Sequence, residues 1–198
     1  MQVEVVAPRF VTQGEIQQLL RKRDNWIRKH LAQFQQTQTV QPEYISGEDC
    51  YYLGERYLLE IVASDTDYAV LKQDKLYVYC QDPTDWTRKQ KIIEAFYHDK
   101  AQAYFHTILA KYQYLHNHDV VLRIKKMRTR WGSCNPQKGY INLNLALIQK
   151  PKRAIEYVIL HEITHFTYPY HDRGFYNYVS THMPDWKQAQ QQLENSGR

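Results

Sequence analysis

One short stretch of the chain contains residues whose types and spacing could bind a metal ion and activate water. It reads HEITHFTYPYH and runs from His161 to His171. Histidines four residues apart on a helix lie on one face, so the imidazoles of His161 and His165 can both reach one ion at about 2.0–2.1 Å. Glu162 lies about 100° round the same helix, where it can reach a water without binding the ion. The spacing therefore predicts two ligands and a general base from one helical turn.

A catalytic zinc site also needs a third protein ligand and one open position for water. Pro169 is expected to end the helix, which lets the chain turn and bring His171 back to the metal. Glu194 and His182, downstream on or near the last helix, are the rival third ligands, and His171 is preferred to both. We predict one zinc ion per chain, with another divalent metal as the alternative.

Hydrolysis is the reaction class that such a site favours. Zinc would lower the pKa of a bound water from 15.7 to about 7, and Glu162 would take the proton as the water attacks a carbonyl or phosphoryl group. A histidine-rich helix end without metal is the competing interpretation. A purely structural metal is disfavoured because three ligands leave an open position that no nearby cysteine closes.

Several elements must position these residues. Residues 2–6 read as a strand, 12–36 have helical periodicity, and 44–80 read as a small antiparallel meander. A long helix is expected after Thr84 or Asp85, either of which can cap it. The strands VVLRIKKM and GYINLNLAL flank the loop RTRWGSCNPQK, and the last of these strands leads to the histidine helix, which begins near Pro151. Its other face carries an apolar stripe that would hold it on a core, namely Ile155, Ile159, Ile163 and Phe166.

Composition limits the remaining possibilities. With 198 residues and 43% hydrophobic content, the chain can bury a core of its own. Three cysteines are too few for a disulfide framework, and no signal peptide or membrane span is recognisable, so we expect a cytoplasmic protein with no membrane partner. The net charge of +5 is interpreted as ordinary surface charge. A nucleic acid partner is compatible with this charge but not indicated by it, and the oligomeric state stays open.

The residues from Met127 to Lys187 resemble the YgjP-like metallopeptidase domain family. The resemblance is carried by RWGSC, INLN, the HExxH helix, a further histidine followed closely by FY, and MPDW. Upstream, VEVVAP, NWIRKHL and YYLGERYLLEI resemble the N-terminal part of the same family, so the resemblance covers nearly the whole chain. It implies that His161, His165 and His171 bind zinc and that Glu162 is the catalytic base.

The resemblance also implies an α+β fold related to SprT-like and other zincin peptidases. Its catalytic domain has the active-site helix packed on a small twisted sheet, with an N-terminal β-rich lobe added. We therefore expect an N-terminal helix and antiparallel β-rich lobe over 1–84, and a zincin-like metallohydrolase domain over 85–198.

The substrate is the part of the function that the sequence leaves open. A metallopeptidase is favoured, a UTP pyrophosphatase using the same metal centre is the first alternative, and a non-catalytic zinc-containing binding module is the second. Arginine forks suit a carboxylate or phosphate, and a strand such as INLN could pair with an extended peptide. Cys134 is interpreted as a packing residue rather than a nucleophile. The candidate substrate contacts are Arg128, Arg130, Trp131, Asn142, Asn144, Tyr168 and Arg173.

Overall fold

The computed structural model describes residues 5, 7, 11–36, 42–116 and 119–195. The strand predicted at 2–6 falls on a stretch of which only Val5 is described, so it stays a prediction. The chain forms two compact units, 1–42 and 43–198, which are described separately below. The domain boundary predicted between 84 and 85 stays a prediction.

The first unit contains helix α1 (Gln13–Gln36), which runs unbroken through the region predicted to be helical. Its start is a capping box. The Thr12 amide donates to Glu15 Oε2 at 2.9 Å, and the Glu15 amide donates to Thr12 Oγ1 at 3.3 Å. These two bonds satisfy amide groups that the first turn of a helix leaves without helical partners.

The second unit begins with a four-stranded sheet, sheet A. Its strands lie in the order β1-β2-β4-β3 and are β1 (Asp49–Tyr52), β2 (Glu55–Ala63), β3 (Tyr68–Lys72) and β4 (Lys75–Cys80). The predicted antiparallel meander is wrong in its central pair, because β2 and β4 run parallel. Strand β4 lies between β2 and β3 and so has a neighbouring strand along each edge. This central position agrees with the full burial of its side chains Leu76, Val78 and Cys80. The pattern of short strands predicted their existence but not their pairing.

The turn between β1 and β2 packs against the start of the histidine helix, α3 (Lys152–Thr164). Leu53 and Gly54 form this turn, with φ angles of 53° and 87°. The Leu53 amide donates to the Ile148 carbonyl at 2.9 Å. A Cβ on Gly54 would lie only 2.7 Å from Pro151 Cα, so the contact requires glycine for its space as well as for its φ angle.

Helix α2 (Trp86–Lys111) forms the middle of the core, and its predicted cap is confirmed. The Asp85 side chain accepts a hydrogen bond from the Arg88 amide at 3.0 Å. The helix contacts sheet A, strand β5 and α3. Its buried side includes Ile92, Ile93, Phe96, Ala101, Phe105 and Leu109.

A second sheet, sheet B, lies next along the chain, with strand order β5-β7-β6. Its strands are β5 (Val121–Lys125), β6 (Gly132–Asn135) and β7 (Tyr140–Asn144). Strands β5 and β7 confirm the two predicted strands. Strand β6 was missed and lies in the predicted loop, because glycine, serine and asparagine rarely favour strands; here antiparallel pairing to β7 forms it.

Helices α3, α4 (Arg173–His182) and α5 (Trp186–Asn195) complete the described chain. The apolar stripe of α3 is confirmed by the full burial of Ile155, Ile159 and Ile163. The helix ends at Thr164, however, five residues before the predicted stop at Pro169. The described residues thus hold two small mixed sheets and five α-helices, which confirms the α+β class. Each of these helices is too short or too polar to cross a membrane.

Candidate metal centre and catalytic site

Three imidazoles converge at the C-terminal end of α3. His161 lies in the last turn, His165 caps the helix, and His171 lies in the loop before α4. Nε2 of His171 is 2.9 Å from Nε2 of His161, and one ring nitrogen of each histidine lies within 4.8 Å of the others. Tetrahedral zinc with bonds near 2.05 Å places its ligand nitrogens about 3.3 Å apart. The three side chains are therefore close enough to hold one ion.

The turn after α3 orients the second and third histidines. Nδ1 of His165 lies 3.0 Å from the Tyr168 carbonyl, which assigns its proton to Nδ1 and leaves Nε2 for a metal. Asp172 caps α4 by accepting from the Phe175 amide at 3.0 Å. His171 is consequently held immediately before a fixed helix start.

Phe175 is a site residue that the sequence analysis missed. Its ring centroid lies 4.9, 4.8 and 4.8 Å from the rings of His161, His165 and His171 respectively, and the side chain is fully buried. It therefore covers one side of the histidine cluster. The sequence did contain a signal for the burial of Phe175. Val179, which is equally buried, lies four residues later, and apolar residues four apart indicate the inner face of a helix.

A stack of aromatic rings supports the cluster from the direction of α5, and the sequence analysis missed this stack too. Tyr157 packs edge-on to His161 at 5.7 Å between ring centroids. Trp186 of the MPDW sequence stacks on Tyr157 and on Tyr176, at 6.1 and 5.0 Å, and its indole donates to Ser180 Oγ. Trp186 thus supports the histidine cluster indirectly, because it packs on Tyr157 and Tyr157 packs on His161.

Two of the three histidines have lowered pKa values, which favours the uncharged form that binds metals. Burial, together with the neighbouring His165 and His171, lowers the pKa of His161 to about 3. Burial also lowers the pKa of His165, although its contact with the Tyr168 carbonyl opposes this. Nδ1 of His161 is buried and has no hydrogen-bond partner among the described residues. The described protein groups leave this nitrogen unsatisfied, whereas Nε2 of the same ring lies 2.9 Å from Nε2 of His171; the donor set of three imidazoles fits a divalent metal.

Glu162 lies beside the histidines, between α3 and β6, and is 6% exposed. A Cβ on Gly132 would lie 2.6 Å from Glu162 Oε1, so the glycine of RWGSC makes the space that the carboxylate occupies. Burial raises the pKa of Glu162 to about 8, against the opposing charge of Arg130. A carboxylate with a pKa near neutrality is suited to accept and return a proton.

The two asparagines of INLN have different surroundings. Asn142 Nδ2 donates to Ser133 Oγ at 3.0 Å. Asn144 is 7% exposed, and its Nδ2 donates to the carbonyls of Met127 and Arg130 at 2.8 and 2.9 Å. Asn144 therefore holds the loop 126–131 in place. Strand β7, which carries both residues, is central in sheet B, so the prediction that INLN could pair with an extended peptide is wrong; β6 is the edge strand beside Glu162.

The other candidate substrate contacts are spread around the site. Arg128 and Arg130 are exposed on the loop 126–131, and Arg130 is near enough to influence Glu162. Trp131 is half-buried, and the ammonium nitrogen of Lys150 lies 5.2 Å from the centroid of the Trp131 ring. Arg173 is exposed at the start of α4. Tyr168 offers its carbonyl to His165 while its ring packs on Tyr178. Their roles as substrate contacts stay predictions.

The two rival ligands lie outside the histidine cluster, whereas Cys134 lies near Glu162. His182 Nδ1 is 3.1 Å from the Tyr114 hydroxyl, and Glu194 is exposed and accepts from Gln190 at 3.3 Å. Neither residue is in the histidine cluster. Burial, with the nearby Glu162, raises the pKa of Cys134 to about 12, which disfavours a thiolate nucleophile.

The sequence matches the family model described as "YgjP-like, metallopeptidase domain" over residues 1–196. The chain belongs to this family. A search of curated proteins found no match. Membership in a metallopeptidase family supports metal-dependent hydrolysis of peptides, and with it a divalent metal cofactor.

Two solved structures are similar to part of the chain. One is described as the metallopeptidase zymogen of Pyrococcus abyssi abylysin, with 18% identity and a TM-score of 0.44, covering 46% of this chain and 93% of that one. The other is described as the metallopeptidase zymogen of Methanocaldococcus jannaschii jannalysin, with 19% identity and a TM-score of 0.41, covering 48% and 94%.

Proposed function

We propose that the protein is a zinc-dependent peptidase in which His161, His165 and His171 hold the metal and Glu162 is the general base. The observation that carries the proposal is the convergence of three imidazoles within 4.8 Å beside a nearly buried glutamate. The proposed architecture is zincin-like, with α3 as the active-site helix packed against β6 and β7 of sheet B.

The metal and the protein contribute separately to the reaction. A bound zinc ion supplies a Lewis acid that polarises the scissile carbonyl and lowers the pKa of a water. Glu162 accepts the proton of the attacking water and returns it to the leaving amine. Arg130 favours the ionised form of Glu162 and so keeps part of the population able to accept that proton. Phe175 shields the ligand rings from water on its side.

The position of β6 supports a peptide substrate. Among the described strands β6 pairs only with β7, so its other edge has backbone groups available to an extended peptide. Because Gly132 of β6 adjoins Glu162, a peptide paired with this edge would pass beside the general base.

The alternatives are less well supported. A UTP pyrophosphatase would need a basic pocket around the metal, whereas the imidazoles have ring contacts with Phe175, Tyr157 and Tyr176, which carry no positive charge. A non-catalytic binding module would not need a buried glutamate, Glu162, beside the metal ligands. The choice of zinc over another divalent metal and the cytoplasmic location stay predictions.

The test measures metal content and turnover on the same preparations. Metal bound per chain would be determined by mass spectrometry, and turnover would be assayed on a quenched-fluorescence peptide library and on UTP. We expect about one zinc per chain and peptide cleavage by the wild type, with cleavage lost in Glu162→Gln and zinc lost in His171→Ala. Glu194→Gln is the matched control, since it makes the same chemical change at an exposed position.

Two results would contradict the proposal. A wild type that binds no stoichiometric metal would remove its basis. Zinc binding with UTP hydrolysis, abolished by Glu162→Gln and unaccompanied by peptide cleavage, would establish the pyrophosphatase instead.

A further inference from the structure

The basic residues of this protein are concentrated in one segment. Residues 120–155 contain 9 of the 26 lysines and arginines and none of the 21 aspartates and glutamates. The segment therefore carries +9, while the rest of the chain, with 17 basic and 21 acidic residues, carries −4. Lys126 and Arg153 of this segment pair with acidic residues elsewhere in the chain and Lys150 is buried, so the six remaining cations determine the local positive potential.

The fold places two of these cations on one side of sheet B. Alternation along the strands sends Ile141 and Leu143 into the core and the residues between them to the opposite side, which we call the outer face. The outer face faces away from α3 and hence from the histidine cluster. It carries Arg123 and Lys125 of β5, Tyr140 and Asn142 of β7, and Ser133 of β6.

The charges on and around the outer face are accessible. Arg123, Lys125, Arg128 and Lys138 are exposed. Within the described chain, the ion pairs found do not involve Arg123, Lys125 or Lys138. A groove of about 350 Å³ beside β5 and α2 is lined in part by Lys91 and Lys125, and also by Lys126 and Glu94, which form an ion pair. An anionic polymer lying along β5 would meet the cations Arg123 and Lys125.

The outer face also offers planar groups on which bases can stack. The Arg123 guanidinium carbon lies 3.9 Å from the centroid of the Tyr140 ring, so the two planar groups are in contact. Asn142 Oδ1 is buried without a hydrogen-bond partner among the described residues, and Ser133 lies beside it. Exposed sheets that combine basic, aromatic and amide side chains suit unpaired nucleotides, whose bases stack while their phosphates pair with the cations.

We propose that the outer face of sheet B binds single-stranded nucleic acid, as a site separate from the peptidase centre. Nucleic acid is favoured over an acidic peptide because the Arg123–Tyr140 pair provides a stacking surface that a run of carboxylates would not use. The proposal does not depend on the identity of the metal or on turnover.

The test is a fluorescence anisotropy titration of the full chain with labelled 20-nucleotide oligo(U) and oligo(dT) at 50 to 300 mM salt. Binding of either strand supports the proposal. With four phosphate contacts, from Arg123, Lys125, Arg128 and Lys138, the logarithm of the binding constant should fall with the logarithm of salt with a slope of about −3. Arg123→Glu/Lys125→Glu should reduce that slope by about half and weaken binding at least about tenfold at 50 mM salt.

Two further variants separate this site from general charge. Lys72→Glu/Lys187→Glu changes the net charge equally, at exposed positions on β3 and α5, and should weaken binding less than about threefold. Tyr140→Leu keeps the charge and should weaken binding about fivefold or more through lost stacking. If Arg123→Glu/Lys125→Glu changes the melting temperature, Arg123→Gln/Lys125→Gln is used in its place. The glutamine variant should weaken binding less than the glutamate variant.

Three results would overturn the proposal. The first is no binding of either strand by the wild type at 50 mM salt. The second is equal weakening by the control pair and by Arg123→Glu/Lys125→Glu, which would show that binding follows net charge. The third is displacement of the oligonucleotide by poly-glutamate at equal charge concentration, which would indicate an acidic polypeptide as the partner.

Discussion

Two glutamates of the same helix, Glu156 and Glu162, are almost equally buried but have opposite electrostatic surroundings. They are 8% and 6% exposed and lie less than two turns apart on α3. Glu156 accepts hydrogen bonds from Lys111, from the Tyr112 hydroxyl at 2.8 Å and from Arg153 at 2.6 Å. No hydrogen bond to the Glu162 carboxylate is found within the described residues.

Their pKa values follow from this difference. Burial acts to raise the pKa of Glu156, but the hydrogen bonds from Lys111, Tyr112 and Arg153 outweigh it, and the pKa is lowered. Burial raises the pKa of Glu162 to about 8, because Arg130 opposes it only weakly. Burial alone therefore does not decide whether a carboxylate is structural or reactive; its hydrogen-bond donors do.

Arg153 connects the Glu156 cluster to the C-terminal helices. Its guanidinium pairs with Glu156 and with both carboxylate oxygens of Asp185, and its Nε donates to Asp185 Oδ2 at 2.8 Å. Asp185 directly precedes Trp186, which stacks on Tyr157. The two ends of α3 thus have different contacts, since Arg153 near one end pairs with Asp185, which precedes α5, while the other end carries the histidine cluster.

The largest effect is expected from Glu162→Gln. Loss of the general base should lower kcat for peptide cleavage by about 10²–10⁴-fold with little change in melting temperature. Peptide turnover and thermal unfolding of the same zinc-loaded sample would measure both. Turnover equal to that of the wild type would contradict the assignment of Glu162 as the base.

Glu156→Gln should reverse this pattern. It removes the charge that pairs with Lys111 and Arg153, so the free energy of unfolding should fall by about 2–3 kcal/mol while kcat of the folded protein stays near the wild-type value. Urea unfolding measures the loss. Glu60→Gln, at a more exposed ion pair with Lys75, is the control and should cost less than about 1 kcal/mol. A loss of kcat without a loss of stability would show that the two glutamates are not functionally distinct.

Gly132→Ala tests the space beside Glu162. The added Cβ would lie 2.6 Å from Oε1, so the carboxylate must move, and we expect kcat to fall about tenfold. Peptide turnover at saturating substrate would detect this. Gly14→Ala is the control, because a Cβ at that position has no atom within 4 Å. An unchanged kcat in Gly132→Ala would show that the position of the carboxylate is not critical.

The smallest effect concerns pH. Because the folded pKa of Glu156 lies below its ordinary value of 4.5, its stabilisation is fully present above about pH 4.5 and is lost as pH falls through the folded pKa. In the presence of chelator, wild type and Glu156→Gln should therefore differ by a constant amount from pH 5 to 7 and converge as the pH falls below 4.5. A difference that grows as the pH falls would contradict the lowered pKa.

The sequence predicted some elements well because their signals are local. The Asp85 cap, the long helix that follows it and the apolar stripe of Ile155, Ile159 and Ile163 each depend on residues within a few turns, and all are confirmed. Strand β6 and the parallel pairing of β2 with β4 were not predicted, because both are decided by partners distant in the chain. The end of α3 at Thr164 was also misjudged. There the Tyr168 amide donates to the Thr164 carbonyl and closes a turn before Pro169 is reached.

The sequence by itself determined the family and the histidine spacing, since a helix places residues four apart on one face whatever surrounds it. Only the tertiary structure brings His171 to the other two histidines, packs Phe175 against all three and sets Glu162 beside Gly132. It also distinguishes the two buried glutamates, and it collects basic residues of one segment on the outer face of sheet B. The physical reason is that pKa values and surface fields depend on distances through space, which the order of residues along the chain does not fix.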